Sequence, residues 1–275
     1  MKLNLFSSII FVLLLGEKAL TRLGSGVFAE GYKISLEQYN DSSYFVARFG
    51  NYQINESCSP NIANLARSKP IEIYEFEGCP FCRKVREAVS ILCLRVLFKP
   101  CPKDGQLFRK EIKDMYGSDA TFPYMIDPNT GTKMFESDEI ITYLFSMYGD
   151  GVVPSQLLGP AAPITAGIGL LPRLGRGSKV KPSNPPQEPL ILWAYEGSPF
   201  CKIVREELCE LEIPHLQIST PRGSSSRQKM FDVIGKFQVP YLEDPNEGIS
   251  LFESEAIIEY IQKRYGITKS PIEYL

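Results

Sequence analysis

The sequence predicts an α/β protein made of two tandem modules, each running β-α-β-α-β-β-α. Three observations predict it. Glu77 to Glu87 (Glu-Gly-Cys-Pro-Phe-Cys-Arg-Lys-Val-Arg-Glu) returns as Glu196 to Glu206 (Glu-Gly-Ser-Pro-Phe-Cys-Lys-Ile-Val-Arg-Glu). Phe122 to Gly149 returns as Val239 to Gly266, with 14 of 28 positions identical and no gap. The offsets are 119 and 117 residues, so only small loop differences separate the copies, and the period is too long for a solenoid. Within each copy, alternating apolar runs are interleaved with runs of three-to-four periodicity.

The elements of the first module follow in order. Residues 71 to 76 (Ile-Glu-Ile-Tyr-Glu-Phe) alternate as a strand does. Gly78 ends it, Cys79 stands where a helix cap would, and Pro80 suits the first helical position. Val85, Ala88, Val89 and Leu92 then recur at helical spacing. A second strand covers 95 to 98, and Leu107 to Tyr116 reads as a second helix. Phe122 to Ile126 is a short apolar strand with Pro123 inside it, which is unusual because proline cannot donate to a ladder. Asp127 to Gly131 is a turn, Lys133 to Phe135 another strand, and Ser137 to Tyr148 the closing helix.

The chain divides into a lead-in (1–69), module one (70–149), a linker (150–189), module two (190–267) and a tail (268–275). From 149 to 189 there are seven glycines and eight prolines in 41 residues, so no long helix or strand is expected there, although Ala161 to Leu171 could make a short apolar turn. Residues 30 to 69 are polar without strong periodicity and read as a loosely docked lead-in. Lys2 precedes an apolar run from Leu3 to Leu15. That is too short for a comfortable membrane span, so no stable insertion is expected. It fits a targeting segment, a signal-peptide core or an interfacial anchor.

Composition narrows the chemistry. Lys and Arg total 30 against 32 Asp and Glu, a formal charge of -2, which gives no basic face for nucleic acid. The single histidine, His215, excludes His-cluster metal sites, and any Ser-His-Asp triad would have to use it. Seven cysteines in a chain of 275 residues are an odd count in a protein too large to need disulfide staples. Thiols, carboxylates and hydroxyls remain.

Cys79-Pro-Phe-Cys82 at a strand-to-helix turn is a redox signature. The unpaired N–H groups and partial positive charge of a helix N-terminus favour thiolate over thiol at Cys79. Arg83, Lys84 and Arg86 are expected to add positive charge, and Cys82 lies one turn on, placed to resolve a mixed disulfide. The plainer alternatives are half a zinc site, for which no second Cys-x-x-Cys exists, or two buried structural thiols. Ser198 takes the cap position in the second copy, where serine is a good cap in any case, and its hydroxyl could also donate to a bound thiolate. Cys201 is expected to pack against the sheet. A cis bond before Pro123 and Pro240 would free the backbone of Phe122 and Val239 to pair with an extended peptide; a plain edge-strand proline is the alternative. Glu136-Ser137 and Glu253-Ser254 open the last helix of each module. Serine is expected to cap it, and the helix start is an anion site beside an acidic side chain that could meet an ammonium.

Taken together, these motifs resemble the thioredoxin-like N-terminal domain of glutathione transferases, over about 71 to 149 and 190 to 267. The motifs occur in order, twice. The tandem layout with a Gly/Pro linker is similar to a plant group of double-module proteins, which implies a plastid location; a secretory or membrane-associated one is the alternative. The resemblance implies two thioredoxin-like modules, each a mixed four-stranded sheet with helices on both faces. It implies glutathione as co-substrate, with its cysteine beside Cys79 or Ser198. Phe122-Pro123 and Val239-Pro240 would pair with its backbone, and Glu136-Ser137 and Glu253-Ser254 would hold its γ-glutamyl end. The all-helical C-terminal domain that walls the second-substrate pocket in that family is not expected after either module. Three functions follow as expectations: thiol–disulfide exchange through Cys79 with Cys82, conjugation using Ser198, or a non-catalytic binding scaffold. The partner would be a small-molecule or protein thiol or disulfide, and a homodimer is allowed.

Overall fold

The computed structural model describes residues 32–38, 45–58, 69–154, 157–159, 175–221 and 224–267. The expectations for the apolar N-terminal run, the turn at 161–171 and the tail from 268 lie outside the described residues. The lead-in has secondary structure of its own. Three strands, β1 (Tyr32–Gln38), β2 (Phe45–Phe49) and β3 (Tyr52–Cys58), form an antiparallel sheet in the order β1-β3-β2. Phe49 pairs with Tyr52, leaving Gly50-Asn51 as a two-residue hairpin loop with Gly50 at φ +58°. That Gly-Asn pair was the available signal, hidden because Glu, Gln and Arg interrupt the apolar alternation.

Module one consists of β4 (Ile71–Glu75), α1 (Pro80–Ile91), β5 (Arg95–Pro100), α2 (Phe108–Tyr116), β6 (Tyr124–Asp127), β7 (Thr132–Met134) and α3 (Ser137–Tyr148). Module two repeats it as β8 (Leu190–Ala194), α4 (Pro199–Glu210), β9 (His215–Ser219), α5 (Ser225–Ile234), β10 (Tyr241–Asp244), β11 (Ile249–Phe252) and α6 (Ser254–Tyr265). The predicted order holds in both. The apolar strand begins at Tyr124, after Pro123 and not around it, so the proline costs no ladder bond.

Strand alternation sends the two faces to different helices. Ile71 and Ile73 pack with Val85 and Val89 of α1 and Leu144 of α3, while Tyr74 packs on the other face with Ile112 of α2 and Tyr124. In module two Leu190 and Leu192 meet Val204 and Leu208 of α4 and Ile257 of α6; Trp193 meets Met230 of α5 and Tyr241. Each module is thus the expected mixed four-stranded sheet, with β4–β5 and β8–β9 parallel and the other pairs antiparallel.

The two sheets are not separate. They join edge to edge as one eight-stranded sheet, β11-β10-β8-β9-β5-β4-β6-β7, through antiparallel pairing of β5 with β9. An isolated module would expose β5 or β9 as an unpaired edge, and the pairing removes both edges. Leu97 lies opposite Leu216, its equivalent at the 119-residue offset, so a pseudo-twofold axis passes through that pair.

The axis also passes through a buried charge cluster between α1 and α4. Arg86 pairs with Glu75 and, through Nε, with Glu196 at 3.0 Å. Arg205 reaches Glu77 with Nε at 3.1 Å and Glu196 with Nη2 at 2.7 Å. Arg83 Nε stands 3.5 Å from Glu196. Three arginines thus face three carboxylates, which is the condition for burying charge at all. The backbone repeats the reciprocity: Glu77 N–H donates to Cys209 Sγ at 3.4 Å, and Glu196 N–H to Ser90 Oγ at 3.0 Å.

Candidate functional site

Cys79 caps α1, whose first turn opens with Pro80. Its Sγ accepts the Cys82 N–H at 3.2 Å and lies 3.8 Å from the Phe122 carbonyl oxygen. The thiol is shifted below its ordinary value. The Cys82 thiol, donating to it, is the largest cause; burial opposes this, and the N–H groups of Cys82 and Phe81 add to it. Cys82 is wholly buried, and that burial, followed by its donation to Cys79, pushes it well up. The two sulfurs are therefore opposed, Cys79 being the more acidic and Cys82 the less.

The neighbouring cations are not among the leading causes of the shift. Arg83 and Arg86 are turned into the carboxylate cluster and Lys84 pairs with Asp138, so none of the three leads the Cys79 shift. The Glu75 carboxylate in fact opposes it. The two arginines are committed to buried carboxylates instead, while the Asp138 partner of Lys84 is exposed.

Cys79 opens into a cleft of about 1110 Å³ lined also by Phe122, Pro123, Glu136 and Ser137. The Phe122-Pro123 bond is cis, and the Phe122 carbonyl oxygen lies 3.8 Å from the Cys79 sulfur. Serine does not cap α3. Glu136 takes the cap position at φ +64° and Ser137 is the first helical residue, with no side-chain cap on the helix. A left-handed glutamate is an uncommon conformation of the kind that clusters at functional sites. It leaves the first-turn N–H groups of α3 without intrahelical partners beside a carboxylate. A carboxylate and the start of a helix thus both border the cleft.

Sequence reasoning missed Arg109. It lines the cleft, donates from Nη2 to Cys101 O at 2.8 Å and from Nε to Pro102 O at 2.7 Å, and lies 4.6 Å above the Phe122 ring. The start of its helix, α2, is held from module two: Glu212 accepts the N–H groups of Gln106 and Leu107, each at 3.0 Å. No local pattern announces either contact.

The second copy repeats the frame. Ser198 caps α4 and its Oγ accepts the Cys201 N–H at 3.3 Å. Val239-Pro240 is cis, and Glu253 precedes Ser254 at φ +67°. Here too serine is the first residue of the helix, not its cap. Cys201 is fully buried and its thiol is pushed up by that burial, as a packed residue should be. His215 lies in the sheet, stacked 5.6 Å from Phe98, and burial pushes it down to about 3, so it stays neutral.

A search of curated protein sequences returns no match. Among solved structures, a glutathione transferase of the silkworm Bombyx mori is 30% identical over 30% of this chain and 37% of that chain, with a TM-score of 0.26. The chain therefore spans little more than a third of that enzyme's length. A trimeric glutathione transferase of Leishmania is 14% identical over 74% of this chain and 68% of that one, with a TM-score of 0.27. The family described as "Glutathione S-transferase, N-terminal domain" matches residues 73–152 and again 192–270, which together exceed half of the chain. The chain belongs to that family and carries its domain twice.

Proposed function

We propose that this protein is a glutathione-dependent thiol–disulfide oxidoreductase working at Cys79. The observation that carries the reading is the opposed pair of sulfurs at the start of α1, with the more acidic one in the cleft. Membership of a glutathione transferase domain family supports glutathione as the co-substrate. The residues fit it. The Phe122 backbone would pair with the cysteinyl part, while Ser137 and the α3 N-terminus would take the γ-glutamyl carboxylate and Glu136 the ammonium.

The reaction balances without an outside oxidant. The Cys79 thiolate attacks the glutathionyl sulfur of a mixed disulfide R–S–SG. The S–S bond breaks, Cys79–S–SG forms, and RS⁻ leaves and takes a proton. A second glutathione, as thiolate, attacks that mixed disulfide, releases glutathione disulfide and restores the Cys79 thiolate. Cys82 can instead attack Cys79–S–SG, releasing glutathione and leaving a Cys79–Cys82 disulfide that two glutathiones reduce.

The test is the reduction of a small glutathione mixed disulfide by the purified protein. Cys79→Ser should abolish it, and Ser198→Ala should leave most of it. Unchanged turnover in Cys79→Ser would overturn the reading.

A further inference from the structure

Part of the linker belongs to the first site. Residues 177 to 180 lie along the loop that precedes α2: Lys103 N–H donates to Ser178 O at 2.6 Å and Val180 N–H to Lys103 O at 3.0 Å. Gly78 N–H, one residue before Cys79, donates to Gly177 O at 3.2 Å. The strap passes so close that a Cβ on Gly78 would stand 1.9 Å from Ser178 Oγ. Gly177 is buried against Glu77 at φ +72°, which pins the strap at its other side. Ser178 lines the cleft together with Cys79 and Phe122.

Among the described residues the second site has no such cover. Gly197 is the equivalent of Gly78, and a Cβ there would meet only the ring of Tyr195, at 3.3 Å. The copy that holds the acidic cysteine is thus the copy that receives the strap.

Cys79 is only 4% exposed, so a reacting sulfur must come to it down the cleft. Arg109, Lys113, Phe122, Glu136 and Ser178 line that cleft, and Ser178 packs on Gly78, the residue before the thiol. We infer that Ser178, carried by the linker strap, is a specificity-determining residue that limits Cys79 to disulfides whose second half is a small molecule and disfavours glutathionylated proteins. This rests on the proposal that Cys79 is the reacting thiol.

The experiment compares the full chain with Ser178→Gly and Ser178→Trp. Two readouts are taken: Cys79 alkylation by iodoacetamide and by a bulky fluorescein maleimide, located by peptide mass spectrometry, and kcat/KM for a small glutathione mixed disulfide against a glutathionylated protein. Ser178→Trp should lower the bulky alkylation rate and protein turnover by about tenfold relative to the small reagents, a difference of steric fit. Ser178→Gly should shift both ratios the other way. The pH midpoint of iodoacetamide labelling should not move in either variant, which shows that the thiol itself is intact. Size ratios that stay constant in both variants would overturn the inference. A wild type that turns over no disulfide, yet shows the graded size selectivity, would defeat the oxidoreductase reading and leave the strap's role standing.

Discussion

Cys79 and Cys82 are one helical turn apart and differ in acidity because Cys79 accepts from the Cys82 thiol and from the helix N–H groups, while Cys82 is buried and donates. The strongest stabiliser of the Cys79 thiolate is the Cys82 thiol, so the second cysteine tunes the first as well as standing ready to resolve it. Cys82→Ala should therefore move the pH midpoint of Cys79 alkylation upward, and Cys82→Ser, which keeps a donor, should move it less. Equal midpoints in all three proteins would show that backbone N–H groups alone set the acidity. Cys79, Cys82 and Ser198 were legible in the sequence because a cap is a local feature: a residue type at a strand-to-helix turn, followed by proline. Phe122, Pro123, Glu136 and Ser137 were legible by resemblance and by repetition. Arg109, Glu212 and Ser178 were not. Each reaches the site through contacts 7 to 106 residues away along the chain or through the linker's path, and no period or motif encodes them.

The β6–β7 turn, read from sequence as a turn only, proves to be the fastening of each module's last helix. Asp127 accepts the hydroxyls of Tyr143, at 2.7 Å, and Tyr148, both on α3, and the N–H of Asn129 at 2.8 Å. Asn129 also clamps the chain entering β4 by exchanging bonds with Lys69 N and O at 2.8 and 2.9 Å. Asp244, Tyr260, Tyr265 and Asn246 repeat the arrangement, with Glu188 in place of Lys69. These residues are among the identities between the copies, so the repeat contained the latch; what it lacked was the pairing, which only the packing of α3 on the sheet reveals. Burial alone would raise the Asp127 carboxyl, but the Tyr148 and Tyr143 hydroxyls and the Asn129 donors outweigh it and hold it below the usual carboxylate range. A folded-state value below the unfolded one means stability present above the unfolded value, about 3.9 for a free aspartate, and lost as pH falls through the lower folded value. Tyr148→Phe leaves a buried carboxylate short of a donor and should cost about 1–3 kcal/mol, read as a lower urea midpoint at neutral pH. The gap to wild type should close under strong acid, when Asp127 is protonated in both proteins. A gap independent of pH would place the loss in packing and not in the charged latch.

The repeat predicted two modules but said nothing of their union, because edge pairing is decided by which strand each module leaves unpaired in space. The joint contains a main-chain ladder from Arg95 opposite Ile218 to Phe98 opposite His215, the cap from Glu212 to α2, and the six-residue charge cluster. One module alone can satisfy neither the ladder nor the cap, and only part of the cluster, where Arg86 keeps Glu75 and Arg205 keeps Glu196. A half chain would keep an exposed β5 or β9 edge and lose the cross-module pairs of Arg86 with Glu196 and of Arg205 with Glu77. The sheet therefore folds as a unit, and its thermal unfolding should show one calorimetric transition, with van't Hoff and calorimetric enthalpies in agreement. Arg205→Met tests the cluster directly. It deprives Glu77 of bonds at 3.1 and 3.2 Å and Glu196 of one at 2.7 Å, so it should destabilise the whole transition by about 3–5 kcal/mol. Adding Glu77→Leu removes a carboxylate left short of its partner and should recover part of that loss, since an apolar replacement of both partners avoids the desolvation cost. The coupling has a functional edge. Glu212 holds the start of the helix that carries Arg109, and the strap crosses the joint to reach Gly78, so the Cys79 cleft is finished only when module two is docked. In a urea titration followed by both tyrosine fluorescence and iodoacetamide labelling of Cys79, the two curves should coincide. Labelling that changes well before the sheet unfolds would mean that module one completes its site alone.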